Sequence, residues 1–341
     1  MKTMIKSLSL LLSALFLHSI AGAQGIHFSQ YYNAPQLLNP ANTALMPQED
    51  FSVGVNYREQ WTSVPAPFKT FAAHGDLQLM RNKNLTNWMG LGVGFFSDKA
   101  GQGILSLDKV QASIAYHVQL DDYNMISAGA SVGYVHRTID FSRLTFDAQW
   151  DGFRFNKNNA QGEPYARQTA NYLDVMLGVN YAFFPNEDLY IKAGAGMMHL
   201  NRPKESFYYS DENRLGMRPM GNVDVLWKAG SKFIINPSLY YANQKGASEL
   251  VFGSLFNSSI GGENGISNAL IYGLYYRMGE SFIPVVGMEW SRFKVMCSYD
   301  VTASPFAEAN RNQGAFEISV SFKGLYSSMS QGRGGYNCPR F

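Results

Sequence analysis

The chain has 341 residues, 28 of them basic and 26 acidic, with no Lys/Arg stripe, so nothing electrostatic favours nucleic acid as a partner. Only 16% of it is charged, against about 25% in an ordinary soluble domain. Aromatics reach 14% and there are 32 glycines, a balance typical of membrane β-barrels, whose strands turn one face to lipid.

Lys2 and Lys6 open the chain, a mostly apolar run follows from Ser7 to Ile20, and Ala21-Gly22-Ala23 precedes Gln24. This is the pattern of a secretory signal peptide over 1–23, cut after Ala23. The apolar run is short for a bilayer span, and no cysteine follows the cut to carry a lipid. Losing Lys2 and Lys6 takes the 28 basic residues to 26, level with the 26 acidic ones, so the mature chain is neutral.

Residues 24–50 form the next unit. Pro35 and Pro40 make it irregular, and it starts on the periplasmic side. Phe28, Tyr31 and Tyr32 need burial, in a lumen or against another protein.

From residue 51 to 324 the dominant pattern is alternation with period two, and no apolar run is long enough for a transmembrane helix. Leu173, Val175, Leu177, Val179 and Tyr181 alternate with Asp174, Gly178 and Asn180, with Met176 breaking the pattern. Ile126, Val132 and Tyr134 alternate with Ser127, Ser131 and Gly133, and Phe316, Ile318 and Val320 with Glu317, Ser319 and Ser321. In Gly90-x-Gly92-x-Gly94 the strict spacing indicates close packing within a strand rather than a phosphate loop. Segmentation predicts fourteen strands near 51–57, 69–79, 88–97, 108–119, 123–136, 170–183, 189–200, 220–229, 232–241, 249–257, 267–277, 283–290, 292–302 and 314–324. Most are roughly 9–14 residues long, suited to tilted strands crossing a bilayer, and their number is even. Odd-numbered connections average roughly 14 residues and even-numbered ones roughly 5, the long-loop, short-turn asymmetry of outer-membrane barrels. The region 250–285 departs from that trend. A soluble β-sandwich is the other architecture, but it would turn charged faces to water, whereas here the polar face is Gly, Ser and Asn.

The segment 137–169, with Phe141, Phe146, Trp150, Phe153 and Phe155, is too long for an idle link. It is read as a lumenal constriction, a partner surface or a self-packed cap. Asp174, Lys192, Asp224, Lys228, Lys294, Asp300 and Glu317 fall mostly on the polar side of the alternation and should face the lumen. Residues 325–341 read as a mobile tail. Cys297 and Cys338 are read as one strand thiol and one tail thiol, with pairing as the alternative.

No catalytic constellation is apparent. The histidines lack metal-ligand spacing, and G-x-S-x-G occurs only as Gly129-Ala130-Ser131-Val132-Gly133 inside a predicted strand, not at a strand-to-helix elbow, so neither enzyme activity, metal nor cofactor is expected. A Ser–His dyad of a lipase-like barrel, built on His74, His117 or His199, is the one enzymatic alternative.

Phe28-Ser29-Gln30-Tyr31 with Leu38-Asn39-Pro40-Ala41 resembles the opening signature of the PorP/SprF family, outer-membrane proteins of the type IX secretion and gliding machinery of Bacteroidota. Tyr57-Arg58 with Gln60-Trp61 and Ser97-Asp98-Lys99-Ala100-Gly101 follow in order. Leu144-Thr145-Phe146 with Gln149, His199-Leu200-Asn201-Arg202-Pro203 and Pro237-Ser238 come next. Ser298-Tyr299-Asp300-Val301-Thr302 and Glu317-Ile318-Ser319 close the series. Ala44-Leu45, Ala72-Ala73, Phe316 and the segment 242–266 depart from the family pattern.

The resemblance implies an all-β, antiparallel outer-membrane β-barrel of about fourteen strands that is not an enzyme. Its expected role is in type IX secretion, docking periplasmic machinery and supporting secretion or surface attachment of particular adhesins. The expected partners are outer-membrane lipid, type IX components and a secreted adhesin. Phe28, Gln30, Tyr31, Asn39 and Pro40 are the candidate partner contacts, with plugging the barrel as their other reading. A passive porin or hydrophobic-solute channel is the alternative function.

Overall fold

A computed structural model describes residues 28–326, apart from short stretches at 65–66, 83–85, 102–104, 157, 161, 163–166, 208–212, 264–265 and 306. The predicted leader with its cut after Ala23, most of the predicted tail, and Cys338 lie outside the described residues; Cys297 is a free thiol.

Among the described residues fourteen strands close into one antiparallel barrel. They are β1 (Phe51–Gln60), β2 (Phe68–Leu79), β3 (Asn87–Ala100), β4 (Leu105–Gln119), β5 (Asn124–Ile139), β6 (Thr169–Asn186) and β7 (Leu189–Met198). The circuit continues with β8 (Arg218–Lys228), β9 (Phe233–Gln244), β10 (Ala247–Glu263), β11 (Ile266–Arg277), β12 (Ser281–Trp290), β13 (Phe293–Thr302) and β14 (Gln313–Gly324). Closure comes from β14 pairing with β1, from Phe51 opposite Gly324 to Gln60 opposite Ala315. It leaves no unpaired strand edge to face a hydrocarbon core, where an orphaned backbone N–H would cost several kcal/mol.

All fourteen predicted strands are present, most of them extended by a few residues. The largest revision is where the sequence pattern was least regular. There β10 runs on to Glu263, with a register shift between Ser259 and Gly261, and β11 starts at Ile266. The predicted loop asymmetry holds for 140–168, 199–217 and 303–312. It fails for 245–246 and 278–280, which join β9 to β10 and β11 to β12 by tight turns at the same end.

The alternation sorts outside from inside. Leu173, Leu177, Val179 and Tyr181 face outward and are exposed, while Asp174, Met176, Asn180 and Ala182 between them are buried. The polar side is thus the interior, the inverse of a soluble core, and an apolar exterior of this kind suits lipid. Tyr123, Trp227 and Trp290 stand exposed near the end that carries residues 50 and 324, called here the terminal end; Tyr134, Phe282 and Tyr299 stand exposed toward the opposite, far end. These are the positions of interfacial aromatic girdles.

The segment 140–168 packs largely on itself. Phe141 lies against Phe146 with ring centroids 6.5 Å apart, and Trp150 bridges to Phe155 at 5.1 Å. The Ser142 hydroxyl and N–H donate to the Asp140 carboxylate and hold its pKa below the usual value.

Replacing Leu177 by Arg puts a charge on the mid-strand lipid face and is expected to destabilise the barrel by about 2–4 kcal/mol. Denaturant unfolding in lipid vesicles measures this, with Leu173→Met as a near-neutral control.

Candidate functional site

The site is the lumen and the segment that fills it. Residues 28–50 run inside the barrel from near the far end back toward the start of β1. Short helical turns at Tyr31–Asn33, Pro35–Leu38 and Pro40–Asn42 compact this path. Proline opens the last two turns, where its missing N–H costs no hydrogen bond. The side chain of Asn39 accepts from the Ala41 N–H at 2.9 Å and caps the third turn.

Ser29 is the anchor nearest the far end. Its hydroxyl donates to the Asp300 carboxylate at 2.8 Å and accepts from Arg58 Nη1 at 2.5 Å and Arg277 Nη2 at 2.9 Å. One donor and two acceptor lone pairs are thereby fully used. The Ser29 and Gln30 N–H groups both donate to the Glu317 carboxylate, at 2.8 and 3.0 Å. Around them Arg58 pairs with Asp300 at 2.8 Å and with Glu317 at 3.3 Å, and Arg277 with Asp300 at 3.0 Å. All of these side chains are buried, so each charge depends on its partners.

Most of the remaining plug contacts are neutral; the exceptions include the Ala44 N–H, which donates to the Asp76 carboxylate at 2.7 Å, and the Lys192 ammonium, which reaches Asn42 Oδ1 at 3.4 Å. Gln30 donates to Ser298 Oγ at 3.0 Å and accepts from Ser319 Oγ at 2.7 Å. Tyr31 stacks on Tyr240 at 5.2 Å and shares a hydrogen bond with Ser238 at 2.7 Å, while Tyr32 stacks on Tyr275 at 5.5 Å. Asn39 Nδ2 reaches Asn180 Oδ1 at 3.1 Å and the Val179 carbonyl at 3.1 Å. Near the terminal end His117 donates from Nε2 to the Thr43 carbonyl at 2.9 Å, and Trp88 donates to the Ala44 carbonyl at 2.9 Å.

The interior glycines are where plug and wall come closest. A Cβ at Gly90 would collide with the Thr43 carbonyl, one at Gly129 with Pro40, and one at Gly178 with the Asn39 side chain. The glycine alternation in β3 is therefore close packing, as its spacing indicates, and its counterpart is the plug.

Above the plug a cavity of about 860 Å³ extends to the connections of the far end. Its floor includes Phe28, Tyr31, Leu37 and Leu38, and its rim reaches Trp61, Leu215, Lys245 and Glu280. Lys109 pairs with Asp174 at 2.7 Å on its wall, and His199 meets the same carboxylate at 2.7 Å.

The five sequence-selected residues, Phe28, Gln30, Tyr31, Asn39 and Pro40, are all buried inside the barrel. Four of them make the wall contacts just described or line the cavity floor, and Pro40 packs at Gly129. Contact with a partner would require this segment to leave the lumen. Sequence reasoning did not single out Ser29, Arg277, Thr43 or Trp88. Arg277 is buried at the end of β11, and nothing local in the sequence names its partners. Of the predicted lumenal charges, Asp174, Asp300 and Glu317 are buried inside, and Lys192 pairs with Asp224 at 3.5 Å.

A Ser–His contact does occur, Ser127 Oγ to His117 Nδ1 at 2.8 Å, on the interior wall rather than the outer face. It is fully buried beneath Thr43, with the other ring nitrogen committed to a carbonyl. Among the described residues no group of three or more His, Cys, Asp or Glu is arranged to hold a metal ion.

Comparison with known proteins follows the geometry. The sequence model of the family described as type IX secretion system membrane protein PorP/SprF matches residues 20–322. No curated protein matches the chain. Among solved structures the barrel is similar to the toluene transporter TbuX of Ralstonia pickettii, at 10% identity and TM-score 0.55, covering 86% of this chain and 94% of that one. It is also similar to the toluene transporter TodX of Pseudomonas putida, at 10% identity and TM-score 0.53, over 86% and 94%. A FadL homologue of Pseudomonas aeruginosa shows 9% identity and TM-score 0.50, over 85% and 94%. At these identities the likeness concerns the fold.

Glu317→Ala removes the acceptor of two buried N–H groups and a partner of Arg58, and is expected to cost about 3–5 kcal/mol. Thermal unfolding and protease cutting within 28–50 report it, and Glu317→Gln is expected to lose less, because it keeps an acceptor oxygen.

Proposed function

Because the chain belongs to the PorP/SprF family of type IX secretion system membrane proteins, we propose that it is a non-enzymatic outer-membrane component that docks periplasmic secretion machinery and supports the export or surface attachment of particular adhesins. Export by the signal peptide 1–23, with the cut after Ala23, belongs to this reading. In it the terminal end faces the periplasm, and the far end, with segments 140–168 and 199–217, faces outward.

The observation that carries the proposal is the filled lumen. Residues 28–46 are held by hydrogen bonds to strands around the circuit, from β1 and β2 through β6 to β13 and β14. A pore selected for free diffusion gains nothing from such a segment, whereas a docking component gains a rigid body of fixed shape. Phe28, Gln30, Tyr31, Asn39 and Pro40 would then act toward a partner by holding that body together, or directly if the segment is withdrawn from the lumen. The cavity above the plug is what favours the second reading, a hydrophobic-solute channel.

Tagged protein solubilised from outer membranes in mild detergent is expected to co-purify with type IX components or a large adhesin, identified by mass spectrometry. Reproducible recovery of the barrel alone would refute the docking role. In planar bilayers the intact protein is expected to be silent and a variant lacking 28–46 to conduct; steady current through the intact protein would favour the channel.

A further inference from the structure

The cavity above the plug is a large space that the secretion reading leaves without a role. We propose that it is a binding site for a neutral, amphipathic small molecule that enters from the far end and sets its apolar part on the plug. Three observations converge on this class of ligand, and none of them depends on the secretion assignment.

Size is the first. About 860 Å³ lies within the roughly 300–1,000 Å³ of small-molecule sites. Polarity is the second. The inner part is apolar, with Phe28 and Leu37 of the plug facing Phe96 and Leu107 of the wall, and Phe28 and Phe96 meeting edge to face at 6.0 Å. An apolar group seated there leaves water and meets a surface already shaped by packing.

Charge is the third. The charged side chains lining the cavity balance, Lys109, Arg137, Arg218 and Lys245 against Asp98, Asp174, Glu205 and Glu280; Lys109 meets Asp174 at 2.7 Å, Arg218 meets Glu249 at 3.5 Å, and Arg137 meets Glu205. With the lining charges balanced and most of them paired, an ion of either sign would have to compete with these pairs, and no net ligand charge is favoured. A hydroxyl, amide or amine can instead share the hydrogen-bonding edges of His199, Tyr172 or Gln244, which also line the space. Because the floor is the plug, the site ends blind, and occupancy would brace the plug against the wall.

The test uses the full-length mature protein in lipid nanodiscs, with N-phenyl-1-naphthylamine as a neutral aromatic probe and empty nanodiscs as the reference. Saturable one-to-one fluorescence enhancement beyond the empty discs is expected. Leu107→Trp and Leu37→Trp, which fill the cavity from wall and floor, are each expected to weaken binding at least tenfold. The anionic analogue 1-anilinonaphthalene-8-sulfonate should also bind at least tenfold more weakly.

No enhancement over empty discs would overturn the proposal, as would equal binding by both Trp variants or equally tight binding of the sulfonate. Binding that appears only after residues 24–27 are deleted would also overturn it, by making the chain's own N-terminus the occupant. Should the Trp variants fail to fold, the melting temperature of the unaltered protein decides. It must rise in saturating neutral amine, since a ligand that binds only the folded state stabilises it. No rise refutes the site.

Discussion

The hydroxyl of Ser29, held among Arg58, Arg277 and Asp300, is the contact on which the rest of the lumen depends. Two guanidinium groups and two carboxylates on β1, β11, β13 and β14 would be costly to bury alone, and an Arg–carboxylate pair seldom repays its desolvation without further hydrogen bonds. Here the plug supplies them. Its hydroxyl is the acceptor for both guanidinium groups, and its two N–H groups go to Glu317. The plug thus completes the interior of the barrel as much as the barrel encloses the plug.

From that anchor the character of the contacts changes along the segment. Charge-assisted bonds hold 29–30, stacked tyrosines hold 31–32, and mostly neutral amide, hydroxyl and carbonyl bonds, with one from the Ala44 N–H to the Asp76 carboxylate, hold 36–46 against β2 to β6. Plug backbone passes directly over the glycines at 90 and 129, and the Asn39 side chain sits directly over the one at 178. Substituting a side chain there would push the plug off the wall and uncover several polar groups at once, so these positions couple strand composition to plug seating.

A barrel filled in this way is a cup rather than a tube. Its outer wall meets the demands of lipid, its near end returns the chain to β1 beside β14, and its far end opens over an apolar floor. The likeness to the toluene-transporter barrels at about 10% identity records a shared fold. The family membership, by contrast, rests on a match over residues 20–322, and several residues of the family-like motifs meet in space. Ser29 and Gln30 of the opening signature touch Arg58, Ser298, Asp300, Glu317 and Ser319 of the later motifs, although they lie far apart in the chain. The ordered series of short motifs is, in large part, the binding surface of the plug.

How much of this could be read from the sequence divides along physical lines. Period-two alternation is a local consequence of strand geometry, so the fourteen strands, their number and the polar interior were legible from residues such as Leu173 to Tyr181. Strand ends near 250–285 were not, because Gly and Ser there break the alternation without ending the ladder. The family was legible because its motifs recur in order. The position of 28–50 was left open between lumen and partner, since an aromatic, proline-containing segment is buried equally well in either. Only the closed barrel decided it, by bringing β1, β11, β13 and β14 around Ser29 and setting glycines opposite Asn39, Pro40 and Thr43. Pairings across more than 240 residues leave no periodic trace along the chain, so Arg277 and Ser29 became legible as partners only once the sheet had closed.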